Sequence, residues 1–370
     1  MIKERKFQIA KLLEAPQALL HKEQISQQVA GKTILVTGAA GSIGSEVAKQ
    51  LLLYVPKKIL LLDVAEMPLN KLCLKLEGVQ KATQLIPCLG DIKDEKLMQD
   101  LFATHQPEIV YHAAANKHVP LLEGFPYQAL QNNVLGTKII VDLAIAFQVK
   151  TFVFISTDKA VNPSSIMGAS KRIAEQYIQA MNEISAHSHF IITRFGNVFG
   201  SSGSVGPIFS KQIKAGGPVT ITHPEMERYF MTTTQACELV LESGAMGIGG
   251  EIFMFDMGTS IRIVDLAYQM ISAAGLVPEK DIKIEWIGLR PGEKLQEDLT
   301  TVNDILLETN HPQIKRVQTL HKNLDAKQDI KEINDFLFRL STMQEIEIVR
   351  EMKRIVPEFK SNHSIHSALD

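Results

Sequence analysis

The sequence has little of what several common protein classes require. Its 370 residues include only three cysteines, Cys73, Cys88 and Cys237, at spacings that suit no metal site or disulfide framework. A net charge of -2 gives no basic field for nucleic acid. No apolar run approaches the roughly 20 residues of a membrane span, and the first residues lack the apolar core of a signal peptide. The composition therefore predicts a cytoplasmic protein with no metal, nucleic-acid partner or membrane span.

Short apolar strands alternate with helices through the first half of the chain. The predicted strands are residues 33–37, 57–62, 109–112 and 151–155, and the predicted helices are residues 43–54, 93–105 and 135–147. Continuous apolar strands alternating with helices are typical of a parallel sheet that is covered on both faces. The predicted fold class is therefore α/β, with a Rossmann-like, doubly wound parallel sheet.

Three glycines, Gly38, Gly41 and Gly44, lie between the first strand and the first of these helices. Glycine permits a tight turn and a close backbone approach, and the helix N-terminus presents N–H groups to a pyrophosphate. Ser42 and Ile43 belong to the same loop. Because a strand precedes the loop and a helix follows it, we expect these five residues to bind a dinucleotide.

Acidic residues follow the next strands. Asp63 lies 19 positions beyond the last glycine and should accept hydrogen bonds from an adenosine ribose. No arginine stands beside it, which favours NAD over NADP. Asp91 and Ile92 are placed to reach the adenine, although Asp91 also fits a simple helix N-terminal acid. Ala113, directly after the strand 109–112, completes the predicted cofactor-binding set.

A second pattern follows the strand 151–155. Residues 156–171 read Ser-Thr-Asp-Lys-Ala-Val-Asn-Pro-Ser-Ser-Ile-Met-Gly-Ala-Ser-Lys. This resembles the active-site pattern of short-chain dehydrogenases/reductases, a Ser/Thr followed by Tyr-x-x-x-Lys. Lys171 is in place, but Met167 occupies the tyrosine position, and a thioether cannot titrate. Either the chain has lost its chemistry, or proton transfer has moved to residues 157–159.

Further stretches match a narrower group. They are Val-Thr-Gly-Ala-Ala-Gly-Ser-Ile-Gly-Ser-Glu (36–46), Lys-His-Val-Pro (117–120), Asn-Val-Leu-Gly-Thr (133–137), Ser-Thr-Asp-Lys-Ala-Val-Asn-Pro (156–163), Met-Gly-Ala-Ser-Lys-Arg (167–172), Arg-Phe-Gly-Asn-Val (194–198), Gly-Ser-Val (203–205), His-Pro-Glu-Met-Glu-Arg-Tyr-Phe-Met-Thr (223–232) and Leu-Arg-Pro-Gly-Glu-Lys (289–294). On these residues the chain resembles the nucleotide-sugar 4,6-dehydratases. The similarity is greatest to the CapD-type polysaccharide biosynthesis proteins, UDP-N-acetylglucosamine 4,6-dehydratases of the retaining kind. Met167 marks that subgroup, whereas Asn116 stands where the pattern leads us to expect tyrosine.

The resemblance implies an NAD-dependent lyase reaction on a UDP-N-acetylhexosamine. C4 is oxidised, water is eliminated across C5 and C6, and the hydride returns to C6, to give a 4-keto-6-deoxy sugar for bacterial surface glycans. Such a site needs bases for the C4 hydroxyl and C5, and an acid for the C6 hydroxyl.

We assign the catalytic roles to residues of the second pattern. Thr157 would hydrogen-bond the C4 oxygen, Asp158 would be the acid, and Lys159 the base. Lys159 must then be neutral near pH 7, which the nearby Lys171 and the cationic nicotinamide would favour. Two points stay open. Adjacent strand residues normally face opposite ways, so Asp158 and Lys159 can share the site only if the strand ends at Ser156 and the chain turns there. An Asp-Lys pair at a strand end can also be an ordinary surface pair.

Lys171 and Met167 have separate expected roles. Lys171 would hydrogen-bond the nicotinamide ribose, and Met167 would fill the space of the phenol and shield the nicotinamide. A plain helix-core role for Met167 would look similar.

The substrate half is predicted from later motifs. The expected substrate-binding residues are Lys117, His118, Asn197, Val219, Arg228, Arg290 and Glu293. Arginine binds diphosphate bidentately. The resemblance places Arg290 there and makes Val219-Thr220 the uracil-contacting segment. His118 could equally be structural, and Arg228 could form a surface salt bridge with Glu225 or Glu227.

Four segments are expected. They are a helical arm (1–30), an NAD-binding Rossmann domain (31–195), a mainly sugar-nucleotide-binding, smaller C-terminal domain with terminal helices (196–358) and a frayed tail (359–370). Helices 127–147 and 166–184 resemble a four-helix dimer contact, so a homodimer or higher oligomer is expected. The competing functions are a nucleotide-sugar epimerase or reductase of the same fold, and a non-catalytic NAD-binding protein.

Overall fold

The computed structural model describes residues 20–79, 82–319 and 325–370. Its strands are β1 (Thr33–Thr37), β2 (Lys58–Asp63), β3 (Gln84–Leu89), β4 (Ile109–His112), β5 (Thr151–Ile155), β6 (His189–Arg194), β7 (Asn197–Phe199), β8 (Val219–Ile221), β9 (Glu227–Arg228), β10 (Phe230–Thr232), β11 (Ile252–Phe255), β12 (Ile261–Arg262), β13 (Ile284–Trp286), β14 (Asp304–Glu308) and β15 (Ile314–Thr319). Its α-helices are α1 (Lys22–Val29), α2 (Ser42–Leu51), α3 (Glu66–Leu76), α4 (Glu95–His105), α5 (Val119–Leu122), α6 (Pro126–Leu130), α7 (Thr137–Ala146), α8 (Ile166–Ile184), α9 (Val205–Lys214), α10 (Thr233–Met246), α11 (Ile263–Ala273), α12 (Ala326–Arg339) and α13 (Glu345–Ile355).

A large, mainly parallel sheet forms the centre of the described chain. Its nine strands have the order β14-β15-β11-β6-β5-β4-β1-β2-β3. The strands from β3 to β11 in that order run parallel, whereas β15 and β14 are added antiparallel. The strand order reverses between β1 and β4, and such a switch point opens a ligand crevice at the carboxyl ends of the strands. The predicted Rossmann-like, doubly wound fold is confirmed.

The strands form where short apolar segments are buried on both faces. All five residues of β1 and all four of β4 are buried, and β1, β4 and β5 have the bounds that the sequence predicts. β2 is shifted by one position, so that Asp63 is its last residue. The predicted helix 43–54 ends earlier, at Leu51, and continues as a 3-10 turn.

A second, smaller apolar cluster lies among the elements that follow residue 196. Phe209, Ile221, Phe230 and Leu266 are among its buried members. The short two-stranded sheets β7–β10, β8–β13 and β9–β12 surround it. These elements provide one wall of the substrate cavity described below.

The predicted N-terminal arm is only partly within the described residues. Residues 1–19 lie outside them, and α1 covers most of the rest, with Ile25 and Val29 fully buried. None of the helices in the described ranges is long and apolar enough to cross a bilayer.

The helices near the C-terminus change the expected dimer surface. α12 and α13 pack against α8, and α13 also packs against α6. The Arg172 guanidinium donates to the Glu358 carboxylate at 3.1 Å, which ties α8 to the segment after α13. Only Glu183 and Ile184 of α8 are exposed. The chain itself thus covers most of the surface of residues 166–184 that the prediction assigns to a dimer contact with 127–147, and the homodimer or higher oligomer stays a prediction.

The last twelve residues are folded against the protein. The prediction of a frayed tail over residues 359–370 was therefore wrong. Phe359 and His366 are buried. The Lys360 and Asn362 amides donate to the carbonyl groups of Pro163 and Ser164 at 3.0 and 3.1 Å. We call residues 359–370 the C-terminal brace, because these contacts place it beside the start of α8.

Candidate functional site

The glycine loop joins β1 to α2 in the conformation that the spacing predicts. Gly38 has a φ of +62°, and a Cβ atom there would lie 2.7 Å from the Ala114 nitrogen. A Cβ atom on Gly44 would lie 2.2 Å from the Gly38 carbonyl oxygen. Side chains are thus excluded where the loop meets its neighbours, and the first turn of α2 presents its backbone N–H groups to the crevice.

Asp63 anchors this loop to β2. Its two carboxylate oxygens accept hydrogen bonds from the amides of Ala40 and Ala65, both at 2.9 Å. Asp91 lies at the end of β3, where its carboxylate accepts from the Lys93 amide at 3.0 Å. The Ile92 side chain is buried, so only its backbone can meet a ligand. These predicted cofactor residues flank the crevice without lining its cavity.

A cavity of about 770 Å³ lies at the switch point. It brings together most of the predicted cofactor and catalytic residues, namely Gly38, Gly41, Ser42, Ile43, Gly44, Ala113, Thr157, Lys159, Met167 and Lys171. Its lining also includes three of the predicted substrate residues, Lys117, His118 and Asn197. We call it the first cavity. Its size suits a small-molecule ligand.

Residues 157–159 do not continue the strand. β5 ends at Ile155, and Asp158–Ala160 form a 3-10 turn. Because the chain turns, Thr157 and Lys159 both line the first cavity, while Asp158 is fully buried behind it. Asp158 and Lys159 therefore do not both face the cavity, and Asp158 reaches it only through its hydrogen bonds with the Thr157 hydroxyl and the Lys159 ammonium.

The surroundings of Asp158 raise its pKa. One carboxyl oxygen accepts from the Thr157 hydroxyl at 2.9 Å and from the Lys159 ammonium at 3.1 Å. The other oxygen, Oδ2, is buried without a hydrogen-bond partner among the described residues. Burial raises the pKa of Asp158, the Glu297 carboxylate adds to this, and Lys159 only partly opposes it.

Lys159 differs from the prediction. Burial acts to lower its pKa, but the carboxylates of Asp158 and Glu297 outweigh burial and raise it. Both carboxylates lie 3.1 Å from Nζ. The expectation of a neutral Lys159 was therefore wrong, because the second carboxylate, Glu297, lies far from Lys159 in the sequence.

The lysine with a lowered pKa is Lys171 instead. Burial lowers its pKa to about 7, against an opposing effect of Glu175. Its Nζ lies 3.8 Å from the centroid of the Phe154 ring. Met167, one turn earlier in α8, is also buried at the cavity wall. α8 is fixed there by Ser165, whose hydroxyl accepts from the Gly168 amide at 3.1 Å.

A second cavity of about 290 Å³ lies beside the first. Its lining includes the predicted substrate residues Lys117, His118, Asn197, Arg228, Arg290 and Glu293, together with Lys159 and Glu297. Four of these, Lys117, His118, Lys159 and Asn197, also line the first cavity. The two cavities therefore meet at these four side chains.

The two arginines of the second cavity differ in their contacts. The Arg228 guanidinium donates to the carbonyl groups of Leu295 and Lys294 at 3.0 and 2.9 Å and lies 3.4 Å from Glu297. Arg228 thus holds the segment that follows Arg290. Its ion pair is with Glu297, not with Glu225 or Glu227 as the alternative prediction proposed. Among the described residues, no carboxylate pairs with the Arg290 guanidinium.

Val219 does not line either cavity. Its side chain is fully buried in the smaller apolar cluster, whereas its neighbour Thr220 faces the second cavity. Contact of the Val219 side chain with a substrate is therefore excluded by its burial, and only the backbone of this segment and Thr220 remain available.

The loop that carries Arg290 is held by the C-terminal brace. The Gly292 amide donates to the Asn362 carbonyl at 2.8 Å, and the Ser164 hydroxyl donates to the Gly292 carbonyl at 3.0 Å. The Glu293 carboxylate accepts from the Arg290 amide at 3.0 Å. This loop thus has a fixed backbone beside the second cavity.

Sequence reasoning missed Glu297. The only available signal is that it follows Glu293 by four positions, immediately after the Arg-Pro-Gly-Glu-Lys motif. Its contact with Lys159 joins residues 138 positions apart, a pairing that no local pattern indicates.

Comparisons with known proteins agree with this geometry. Residues 34–319 match the family described as "Polysaccharide biosynthesis protein". The capsular polysaccharide biosynthesis protein CapD of Staphylococcus aureus is 47% identical over 310 residues, which cover 84% of this chain and 51% of CapD. A UDP-N-acetylglucosamine 4,6-dehydratase (inverting) of Campylobacter jejuni is 32% identical over 81% of this chain and 86% of that protein.

The fold has close solved counterparts. The structure of a double mutant of DesIV, a dTDP-glucose 4,6-dehydratase from Streptomyces venezuelae with NAD bound, aligns with a TM-score of 0.63 at 22% identity over 72% of this chain and 87% of that chain. The chain spans about half the length of the first curated relatives that it matches. From the family match over most of its residues, the chain belongs to the polysaccharide biosynthesis protein family, within the nucleotide-sugar dehydratases and epimerases of the short-chain dehydrogenase/reductase type.

Proposed function

We propose that the chain is an NAD-dependent hydro-lyase acting on a UDP-N-acetylhexosamine, with UDP-N-acetylglucosamine as the substrate to test first. The product is the UDP-4-keto-6-deoxy sugar. The observation that carries the proposal is the meeting of the two cavities at Lys159 and Asn197. A cofactor in the first cavity and a sugar nucleotide in the second would place the hexose beside residues 157–159.

The first cavity fits NAD. The side-chain-free approach at Gly38 and Gly44 leaves room for a pyrophosphate at the N-terminus of α2. Asp63 and Asp91 lie on the adenosine side, where carboxylates favour a ribose with free hydroxyls over a 2′-phosphate. Lys171 would hydrogen-bond the nicotinamide ribose. When bound, NAD supplies the acceptor for the C4 hydride and its return to C6.

The chain's own side chains would carry the proton transfers. Thr157 would hydrogen-bond the C4 oxygen. Asp158, whose pKa is raised by burial, can hold the proton that the departing C6 hydroxyl needs. Lys159 would remove the C5 proton once its ammonium has lost a proton of its own. Met167 cannot exchange a proton, and its side chain forms part of the wall of the first cavity.

The substrate assignment rests on the second cavity. Within the described ranges the Arg290 guanidinium has no carboxylate partner, which suits a diphosphate, because a guanidinium binds this group bidentately. Glu293 holds the Arg290 backbone and presents a carboxylate to the same cavity, where it can accept hydrogen bonds from a ribose. Self-association, if present, would use a surface other than α8.

The reaction itself is tested by incubating the protein with UDP-N-acetylglucosamine and a catalytic amount of NAD. We expect a product lighter by one water, with no net change in NAD, because the hydride returns to the sugar. Mass spectrometry of the nucleotide sugar measures this. A product of unchanged mass and altered C4 configuration would instead establish an epimerase, and unaltered substrate would support the non-catalytic alternative.

Asp63→Ala is expected to weaken the preference for NAD over NADP. Removing the carboxylate abolishes its repulsion of a 2′-phosphate and its acceptors for the ribose hydroxyls. Calorimetric titration with each dinucleotide gives the ratio of the two Kd values. Glu66→Ala removes an exposed carboxylate three positions later and serves as the control, with an unchanged ratio. Tighter binding of NADP by the unmodified protein would contradict the assignment.

A further inference from the structure

The Lys159 ammonium is held by three acceptors on three different segments. Asp158 Oδ1 lies on its own turn at 3.1 Å. Glu297 Oε1 lies on the segment after the Arg290 loop, also at 3.1 Å. Asn197 Oδ1 lies at the start of β7 at 3.5 Å. Asp158 and Asn197 accept hydrogen bonds from the ammonium and Glu297 forms an ion pair with it, so the protonated amine is stabilised from three sides and must lose a proton before it can act as a base.

Glu297 is built into this position. Its side chain is 4% exposed, and it lies between the Lys159 ammonium and the Arg228 guanidinium, 3.4 Å from Nε. Burial acts to raise the pKa of Glu297, but Lys159 and Arg228 outweigh burial and lower it. The carboxylate is therefore ionised at neutral pH, and a buried ionised group is retained only where it is paired.

We propose that Glu297 is a positioning residue that holds Lys159 where the two cavities meet and governs whether its amine carries a proton. The inference rests on the proposed function only in taking Lys159 as the base for C5. Asp158 lies in the same 3-10 turn as Lys159. Glu297, in contrast, contacts Lys159 from the segment that follows the Arg290 loop. The substrate-binding loop and the base are thereby joined through one carboxylate.

The charged groups around Lys159 oppose one another. Asp158 and Glu297 favour the ammonium form, Arg228 disfavours it, and Lys294 acts on Glu297 rather than on Lys159 directly. Removing Glu297 and removing Arg228 should therefore change the protonation of Lys159 in opposite directions. Looser packing alone would change its accessibility in the same direction in both variants.

The test measures the reactivity of Lys159 in the substrate-free protein. A trace of acetic anhydride acetylates only neutral amines, and mass spectrometry compares Lys159 with the exposed Lys211 in the same sample at pH 8. Loss of an opposite charge at this distance lowers a lysine pKa by about one unit, so Glu297→Gln should label Lys159 about tenfold faster. Arg228→Gln should label it several-fold more slowly.

Asp298→Asn is the matched control. It removes the same charge one position later, from an exposed carboxylate that pairs with Lys294 at 3.0 Å, and should leave Lys159 labelling unchanged. Equal labelling in Glu297→Gln and the unmodified protein, or a change of the same direction in Glu297→Gln and Arg228→Gln, would overturn the proposal. Circular dichroism checks folding, and slower labelling in Arg228→Gln decides the question alone, because looser packing would make Lys159 more accessible and accelerate its labelling.

Turnover adds an independent measurement. In Glu297→Gln the acidic limb of the kcat–pH profile should move to lower pH by about one unit, with Glu297→Asp restoring it. If the unmodified protein does not dehydrate the UDP-sugar but Glu297→Gln still changes the labelling rate, the role of Glu297 is supported and only the proposed function is contradicted. A labelling rate that changes while the kcat limb stays fixed would overturn the role assigned here in the reaction.

Discussion

Asp158→Asn, assayed in deuterated water, is expected to exchange the C5 hydrogen of recovered substrate while forming little 4-keto-6-deoxy product. C5 deprotonation needs the base alone, whereas loss of the C6 hydroxyl also needs the acid. The asparagine side chain keeps an oxygen for the hydrogen bonds that Thr157 and Lys159 donate. Product formation should fall by a factor on the order of 10²–10⁴, the usual scale for positioned proton transfer. Mass spectrometry and proton NMR of the sugar measure both quantities.

Lys159→Ala is the companion variant and should show neither exchange nor product. Lys294→Ala removes another partly buried lysine that lines neither cavity and pairs with Asp298, and it controls for the loss of a lysine charge in this part of the protein. Exchange that survives in Lys159→Ala but disappears in Asp158→Asn would reverse the two roles. Exchange that survives in both would place the C5 base elsewhere.

Glu175→Gln is expected to destabilise the fold by about 3–5 kcal/mol, the usual cost of leaving a buried charge without its partner. Glu175 is fully buried in α8. Its oxygens accept from the Arg194 guanidinium at 2.8 and 2.5 Å and from the Ser156 hydroxyl at 2.6 Å. The glutamine would leave the Arg194 charge uncompensated, and the midpoint of urea unfolding should fall accordingly.

The pH dependence of that loss has a defined sign. The pKa of Glu175 falls from 4.5 to about 2, because Arg194 and its hydrogen bonds outweigh burial. Its stabilising contribution is therefore complete above about pH 4.5 and is lost as the pH falls towards 2. The two proteins should become more alike over that range. Glu183→Gln, on the exposed end of α8, should leave the midpoint almost unchanged, and an unchanged midpoint in Glu175→Gln would contradict the assigned role.

Much of the nucleotide half could be predicted because its signals are local. β1, β4 and β5 are short, mainly apolar segments. Such a composition is enough to predict strands that are buried on both faces of a parallel sheet. Part of the glycine loop is equally local, since a Cβ atom on Gly44 would meet the backbone of Gly38 and Ala39, whereas Gly38 is constrained by Ala114 after β4. Cavity-lining residues in these segments were found for that reason.

The missed features depend on contacts between distant residues. The pKa of Lys159 is set by Glu297, and the surface of α8 is covered by α12 and α13. Neither partner can be identified from the residues beside it. The burial of Val219 also depends on a distant partner, because β8 pairs with β13. The residues beside Val219 do not indicate that pairing. Local patterns locate the groups that bear charge, but their partners determine the charge they carry.

The C-terminal brace has a consequence for the order in which the protein folds. His366 hydrogen-bonds the Glu123 carbonyl at 3.0 Å, across 243 positions of the chain, and Asn362 holds the Gly292 amide. Contacts between such distant residues form slowly, because the loop between them must first be closed. The contacts of the glycine loop join residues at shorter separations, such as Gly38 and Ala114. The nucleotide crevice is therefore expected to form before the brace fixes the substrate loop.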